Sequence, residues 1–209
     1  MNSKVTHINV GNLAENCWFL ANEDTKETVV IDPGAEPDRI RAAAEKHGWK
    51  ITAILLTHGH IDHMGACESL RTELGVKVYA LTEEEDLLLD AKKNLSVFIE
   101  RKVVTFEPDE LLRDGQELTL AGMKIQVIHT PGHTPGGCSY YAADAGCVFS
   151  GDTLFAESVG RSDFPGGSTS ALVRAVKEKL FLLPDDTLVC PGHGEETTIG
   201  HEKKYNPFV

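Results

Sequence analysis

The sequence holds little with which to meet a polyanion or a bilayer. Basic residues are few, 20 Lys+Arg against 32 Asp+Glu, for a net charge of −12. Such a chain repels polyphosphate on average. Its densest basic run, His201-Glu202-Lys203-Lys204, is short and interrupted, so no nucleic-acid partner is expected. No stretch approaches the roughly 18 apolar residues of a spanning helix, so no membrane is expected either. The start, MNSKVTHINVGNLAENCWFL, lacks the long apolar core of a secretory signal. CxxC pairs are absent and the five cysteines are odd in number. That speaks against a disulfide framework and a Cys-type zinc site, and for a reducing, cytoplasmic compartment. No low-complexity stretch or Ser/Gly linker divides the chain, so one domain is expected over residues 1–209. A chain of this length buries a proper core without disulfide staples.

Short apolar runs are plentiful. Val5–Val10, Trp18–Asn22 and Thr28–Ile31 read as a meander of strands. Pro37 opens a helix with Ile40, Ala43 and Ala44 on one face, and Gly48 ends it. Ile51–Leu56 reads as a strand buried on both faces, followed by a helix with Cys67, Leu70 and Leu74 and a strand over Val76–Ala80. Thr82 and Glu85 fit a capping box ahead of Leu87, Leu88, Ala91 and Leu95. Leu118–Leu120 with Met123–His129, and Ser139–Ala142 with Cys147–Ser150, read as hairpins. Ser168 or Ser170 caps a helix carrying Leu172, Val173, Val176 and Leu180, and Thr187–Cys190 is a last buried strand. Meanders mixed with helices predict two sheets with helices outside them.

Nine histidines are present. His7, His47, His129 and His201 stand alone and read as surface or satisfied core residues. The other five are patterned. His58-Gly59-His60-Ile61-Asp62-His63 concentrates three imidazoles and a carboxylate in six residues, a donor set suited to Zn, Fe or Mn. In an extended loop His58, His60 and Asp62 point one way and His63 the other. One ion cannot easily take all four, whereas two neighbouring ions can. Four times an apolar strand ends in a Gly-containing turn with a metal-type donor beside it: Thr57-His58, Thr130-Pro131-Gly132-His133, Ser150-Gly151-Asp152 and Pro191-Gly192-His193. Ligand sites of sheet proteins favour such strand ends.

The set THxHxDH, PGHT, SGDTLF and PGHGEET resembles the metallo-β-lactamase superfamily, and within it the glyoxalase II-like (hydroxyacylglutathione hydrolase) branch. The resemblance runs from Asp32-Pro33-Gly34 to His193. It implies a four-layer αββα sandwich of α/β (α+β) class, with two divalent ions, zinc ahead of iron or manganese. By the family pattern His58, His60 and His133 hold the first ion. Asp62, His63 and His193 hold the second, and Asp152 bridges both. The catalytic residues implied are Asp62, which orients the attacking hydroxide, and Asp152. Asp32 reads either as a partner of a ligand histidine or as a turn residue. Arg161 could hold a substrate carboxylate or pair with Asp163. Cys190 reads as a buried strand end.

The activity implied is hydrolysis of a small-molecule thioester such as S-lactoylglutathione, whose thiolate leaves with little protonation. Only Gly194–Val209 follow the last ligand, too few for the helical C-terminal domain that helps full-length glyoxalase II enzymes bind glutathione. The chain therefore resembles the short, single-domain members. Persulfide dioxygenases of the superfamily share much of the ligand set and a loop resembling Gly160-Arg161-Ser162-Asp163-Phe164, and lactonases use the same dinuclear centre. A true β-lactamase is disfavoured because those enzymes lack the bridging Asp, and a nuclease by the net charge. Tyr205–Phe208 reads as a docked chain end without an assigned role.

Overall fold

A computed structural model describes residues 2–209. Six strands form the first sheet: β1 (Ser3–Val10), β2 (Glu15–Asn22), β3 (Glu27–Ile31), β4 (Lys50–Leu55), β5 (Lys77–Leu81) and β6 (Glu110–Leu112), paired in that order. The first three are antiparallel neighbours and the last four run parallel. The second half of the chain supplies β7 (Glu117–Leu120), β8 (Met123–His129), β9 (Cys138–Ala142) and β10 (Cys147–Gly151), then a small ribbon of β11 (Leu154–Phe155) and β12 (Ser158–Val159), then β13 (Leu188–Pro191) and β14 (Thr197–Thr198). Its sheet runs β14-β13-β10-β9-β8-β7. Helices are α1 (Pro37–Lys46), α2 (Ile61–Met64), α3 (Cys67–Leu74), α4 (Glu85–Leu88), α5 (Ser96–Ile99), α6 (Thr169–Glu178) and α7 (Ile199–Tyr205).

Strand alternation explains the layering. On β2 every residue is buried, because its two faces meet different partners. Trp18 and Leu20 join Ile31, Leu55, Ile125, Tyr140 and Phe149 between the sheets. Cys17, Phe19 and Ala21 face the other way, toward Ile40 and Ala44 of α1 and Cys67 and Leu70 of α3. On the far side Ile128, Val148 and Val189 pack against Leu172 and Val176 of α6 and Ile199 of α7. The result is helix, sheet, sheet, helix, the αββα sandwich expected.

Most local signals act as their chemistry dictates. Pro37 occupies the first turn of α1, where a missing N–H costs nothing. Gly75 closes α3 at φ +65°, its amide donating to the Arg71 carbonyl. Ser168, not Ser170, caps α6, accepting from the Ala171 amide at 3.3 Å. All five cysteines are free and buried, and no helix among the described residues is long and apolar enough to cross a membrane.

The expected capping box does not form. The Thr82 hydroxyl instead donates to the Leu112 carbonyl at 2.8 Å, fastening β5 to β6. Nor do Leu87, Leu88, Ala91 and Leu95 share one helix, since α4 stops at Leu88 and α5 begins at Ser96. Side chains win there over helical periodicity. Asp90 accepts from the Lys92 and Lys93 amides, Asn94 donates to the Leu88 and Val104 carbonyls, and Leu95 adopts φ +67°. Strands β6, β11, β12 and β14 and helix α7 carried no readable apolar pattern. The Tyr205–Phe208 end is held by Asn206, whose amide donates to the Ser158 carbonyl at 3.0 Å and to the buried Glu202 carboxylate at 2.8 Å.

Candidate metal centre

Every patterned histidine comes to one place, at the carboxyl ends of β4, β8, β10 and β13. His58, His60 and His133 offer nitrogens within 4.8 Å of one another, and so do the donor atoms of Asp62, His63 and His193. Asp152 lies between the groups. Its Oδ1 is 3.4 Å from His63 Nε2, and its Oδ2 is 3.6 Å from His133 Nε2 and 3.9 Å from His193 Nε2. Asp62 Oδ2 stands 3.3 Å from His193 Nε2. The four lone histidines, His7, His47, His129 and His201, are outside both groups.

Local geometry aims the donors inward. The His133 Nδ1–H donates to the Arg161 carbonyl at 2.7 Å, which leaves its Nε2 lone pair free. The His63 Nδ1–H donates to Asp32 at 3.0 Å with the same effect. Burial and the surrounding imidazoles push His58 well below the usual histidine range. Burial and His133 bring His60 down to about 3, so both rings stay neutral donors. His63 is the exception, because Asp152, Asp62 and Asp32 outweigh burial and raise it. Gly192 permits the tight turn: a Cβ there would lie 2.4 Å from Asp152 Oδ1 and 2.6 Å from His63 Cε1.

The pockets fit divalent ions. His58 Nε2, His63 Nε2 and Asp152 Oδ1 are buried and have no hydrogen-bond partner among the described residues. Buried polar atoms ordinarily do. His60 Nδ1 lies 2.9 Å from His133 Nε2, so these two nitrogens converge where the first group's donors meet. Asp32, His58 and His63 are also close together, but Asp32 is spent. Its oxygens accept the Thr57 amide at 2.7 Å, the Thr57 hydroxyl at 2.5 Å and His63. Asp32 thus orients His63, as outer carboxylates of metal sites do.

A model of the metallo-beta-lactamase superfamily matches residues 10–193. The chain belongs to that superfamily. It is 39% identical over 201 residues to the probable metallo-hydrolase YqgX of Bacillus subtilis, covering 96% of this chain and 94% of that protein. It is 36% identical to the hydroxyacylglutathione hydrolase GloC of Haemophilus influenzae, covering 93% and 92%. The structure of BLEG-1, described as a B3 metallo-beta-lactamase, superposes with a TM-score of 0.93 at 38% identity over 98% of this chain and 99% of that one. TTHA1623 in a di-iron-bound form gives 0.86 at 37%, covering 98% and 100%. The chain is a metal-dependent hydrolase of this superfamily, and its His/Asp cluster suits two divalent ions.

The metal pockets form the floor of a mouth of about 540 Å³. Its walls are apolar, built of Leu13 from the β1–β2 turn, Leu95, Phe98 and Ile99 at α5, and Phe164. Arg161 stands at the rim but pairs bidentately with Asp163, both bonds at 2.7 Å, and stacks on Phe164 at 4.1 Å. Cys190 is fully buried within β13.

Two carboxyls escaped the sequence reading. Glu15 is fully buried beside the second group, with Oε1 3.9 Å from His63 Nδ1 and neither oxygen hydrogen-bonded, and burial raises its pKa well above the usual range. Glu84 is fully buried beside the first group and raised by burial to about 7, against the pull of the Gly59 and Gly136 amides. Glu84 lies in the run Glu83-Glu84-Glu85, of which the sequence singled out only Glu85, for the capping box. Nothing local marks its middle member as the buried one.

Proposed function

We propose that this protein is a dinuclear metallohydrolase that cleaves acyl thioesters, S-lactoylglutathione among them, to a carboxylic acid and a thiol. The observation that carries the reading is the pair of donor pockets sharing Asp152, with inward-facing atoms left unpartnered. His58, His60 and His133 would hold one ion, Asp62, His63 and His193 the other, and Asp152 both. Two such ions supply Lewis acidity and lower the pKa of a water toward neutrality. Zinc is the ion we assign first, with iron and manganese as alternatives.

The chain's own residues do the rest. Asp62, near His193 and facing the mouth, would orient the attacking oxygen and accept its proton. Water adds across the C–S bond, so the acyl carbon gains oxygen and the sulfur leaves as thiol or thiolate. Leu95, Phe98, Ile99 and Phe164 would shield the acyl group from solvent. The similarity to GloC supports a glutathione thioester.

The test is kcat/KM for S-lactoylglutathione with protein loaded in turn with Zn, Mn and Fe(II). A value of about 10⁴ M⁻¹s⁻¹ or above is expected with at least one metal. Metal-loaded protein that turns over no thioester overturns the reading. Oxygen uptake with glutathione persulfide, prompted by the di-iron relative, then comes next. Lactones and a β-lactam, the latter prompted by BLEG-1, follow.

A further inference from the structure

The first ion pocket is assembled from two distant loops. His58 and His60 follow β4 in the first sheet, whereas His133 follows β8 in the second. One backbone bond crosses between the sheets here, the Cys138 amide donating to the Thr57 carbonyl at 2.8 Å, but it lies at the base of the loops and leaves residues 59–60 and 133–136 without a backbone bond to each other. One buried carboxylate touches both. Glu84 Oε1 accepts the Gly59 amide at 2.9 Å, and Oε2 accepts the Gly136 amide at 2.8 Å. Gly59 lies between His58 and His60, and Gly136 three residues beyond His133. Glu84 itself stands on the turn that follows β5, so it adds a third element to the junction. The contact is tight: a Cβ on Gly136 would fall 2.2 Å from the Glu84 nitrogen.

We propose that Glu84 is a positioning residue for the first ion pocket: its carboxylate, bonded to both ligand loops at once, sets the spacing between His58–His60 and His133. The physical reason lies in the two oxygens. Each backbone N–H donates, so the position between them requires an acceptor on both sides, and a buried donor left unmet costs about 1–3 kcal/mol. A carboxylate supplies two acceptors and a carboxamide only one. Outer residues that hold ligands in place typically matter 10–100-fold in metal affinity.

This inference rests on the reading that His58, His60 and His133 hold an ion, and the experiment separates the two. Metal-free protein is titrated with Co(II) at pH 8, following d–d absorption and ions bound per chain. His58→Ala and His193→Ala identify which spectral step belongs to which pocket. Glu84→Gln is expected to weaken the His58-dependent step 10–100-fold and alter its spectrum, leaving the His193-dependent step in place. Glu83→Gln, at the exposed neighbour, should change neither. A merely structural role would lower the unfolding temperature without separating the two steps.

If the folded Glu84→Gln protein binds both ions as the wild type does, the inference fails while the metal reading stands. If the wild type shows no His58-dependent step, both fail. Should Glu84→Gln not fold, Glu84→Asp takes its place. It keeps the charge but loses one methylene of reach, so weaker binding of the first ion is again expected, and unchanged affinity overturns the proposal.

Discussion

The two donor groups differ in how they are enclosed. His58, His60 and His133 are all buried, and the carboxylate of Glu84 ties their loops together. In the other group His63 is sealed, but His193 keeps 27% and Asp62 16% of its side-chain surface. The turn that carries His193 is held to β2 by neutral donors. The Asn16 amide group donates to the Pro191 and Gly194 carbonyls at 3.0 Å, and Trp18 Nε1 donates to Pro191 at 2.9 Å. Both groups reach the mouth, but the more exposed second one would leave an ion there freer to change its coordination as substrate enters.

The comparison can be broken at its shared member. Asp152→Ala removes the carboxylate common to both pockets, so both should lose affinity. Bound metal should fall below two ions per chain, with kcat/KM down about 10³-fold or more. Metal analysis and a thioester assay check this, and full activity with two ions would refute the assignment of Asp152.

Asp32→Asn should sharpen the contrast by acting on one side. It weakens the hold on His63 and the link to Thr57, so the second ion should bind about 10–100-fold more weakly while the first is unaffected. Two-step Co(II) titration reads both. Equal loss at the two pockets would show that the Thr57 link carries as much as the His63 bond.

The Glu84 side predicts a pH effect in metal-free protein. Its folded pKa of about 7 lies above the ordinary 4.5, so the folded chain holds a proton that the unfolded chain releases between those values. The stability it contributes is complete below about pH 4.5 and is lost as pH rises to 7, up to about 3 kcal/mol. Urea unfolding of wild type and Glu84→Gln at pH 5 and pH 7.5 isolates this term. The variant should lack that part of the slope, and identical slopes would show that Glu84 ionises normally.

The smallest effect is expected at His129. It stands outside both pockets, yet its Nε2–H donates to the Pro135 carbonyl at 2.9 Å in the His133 loop. His129→Ala should change metal content by less than about twofold, since one half-exposed neutral hydrogen bond contributes only about 1 kcal/mol. Near-total metal loss would overturn the ligand list.

Much of the site was legible in the chain. The seven proposed ligands stand in short motifs because each follows the end of a strand, and Gly and Pro mark the turns that such placement requires. The two-sheet architecture was legible from the same runs, since buried strands need apolar residues on both faces. What local patterning misread was the segment from Thr82 to Leu95. There a helical spacing of leucines lost to hydrogen bonds from Asp90 and Asn94, and Thr82 found a partner 30 residues away.

By itself, then, the sequence determined which donors are present and that they follow strand ends. Those are properties of residue type and short spacing. The helical turn Ile61–Met64, in place of the extended alternation expected, is what groups Asp62 with His63 rather than with His58 and His60. Only the tertiary structure decided that Asp32 serves His63, that Arg161 is engaged with Asp163, that apolar side chains from α5 and the β1–β2 turn wall the mouth, and that Glu84 spans the two loops of the first pocket. Each of these depends on which backbone atoms from distant segments meet in a dry interior. A buried carboxylate between two amides has the same letters around it as one in water.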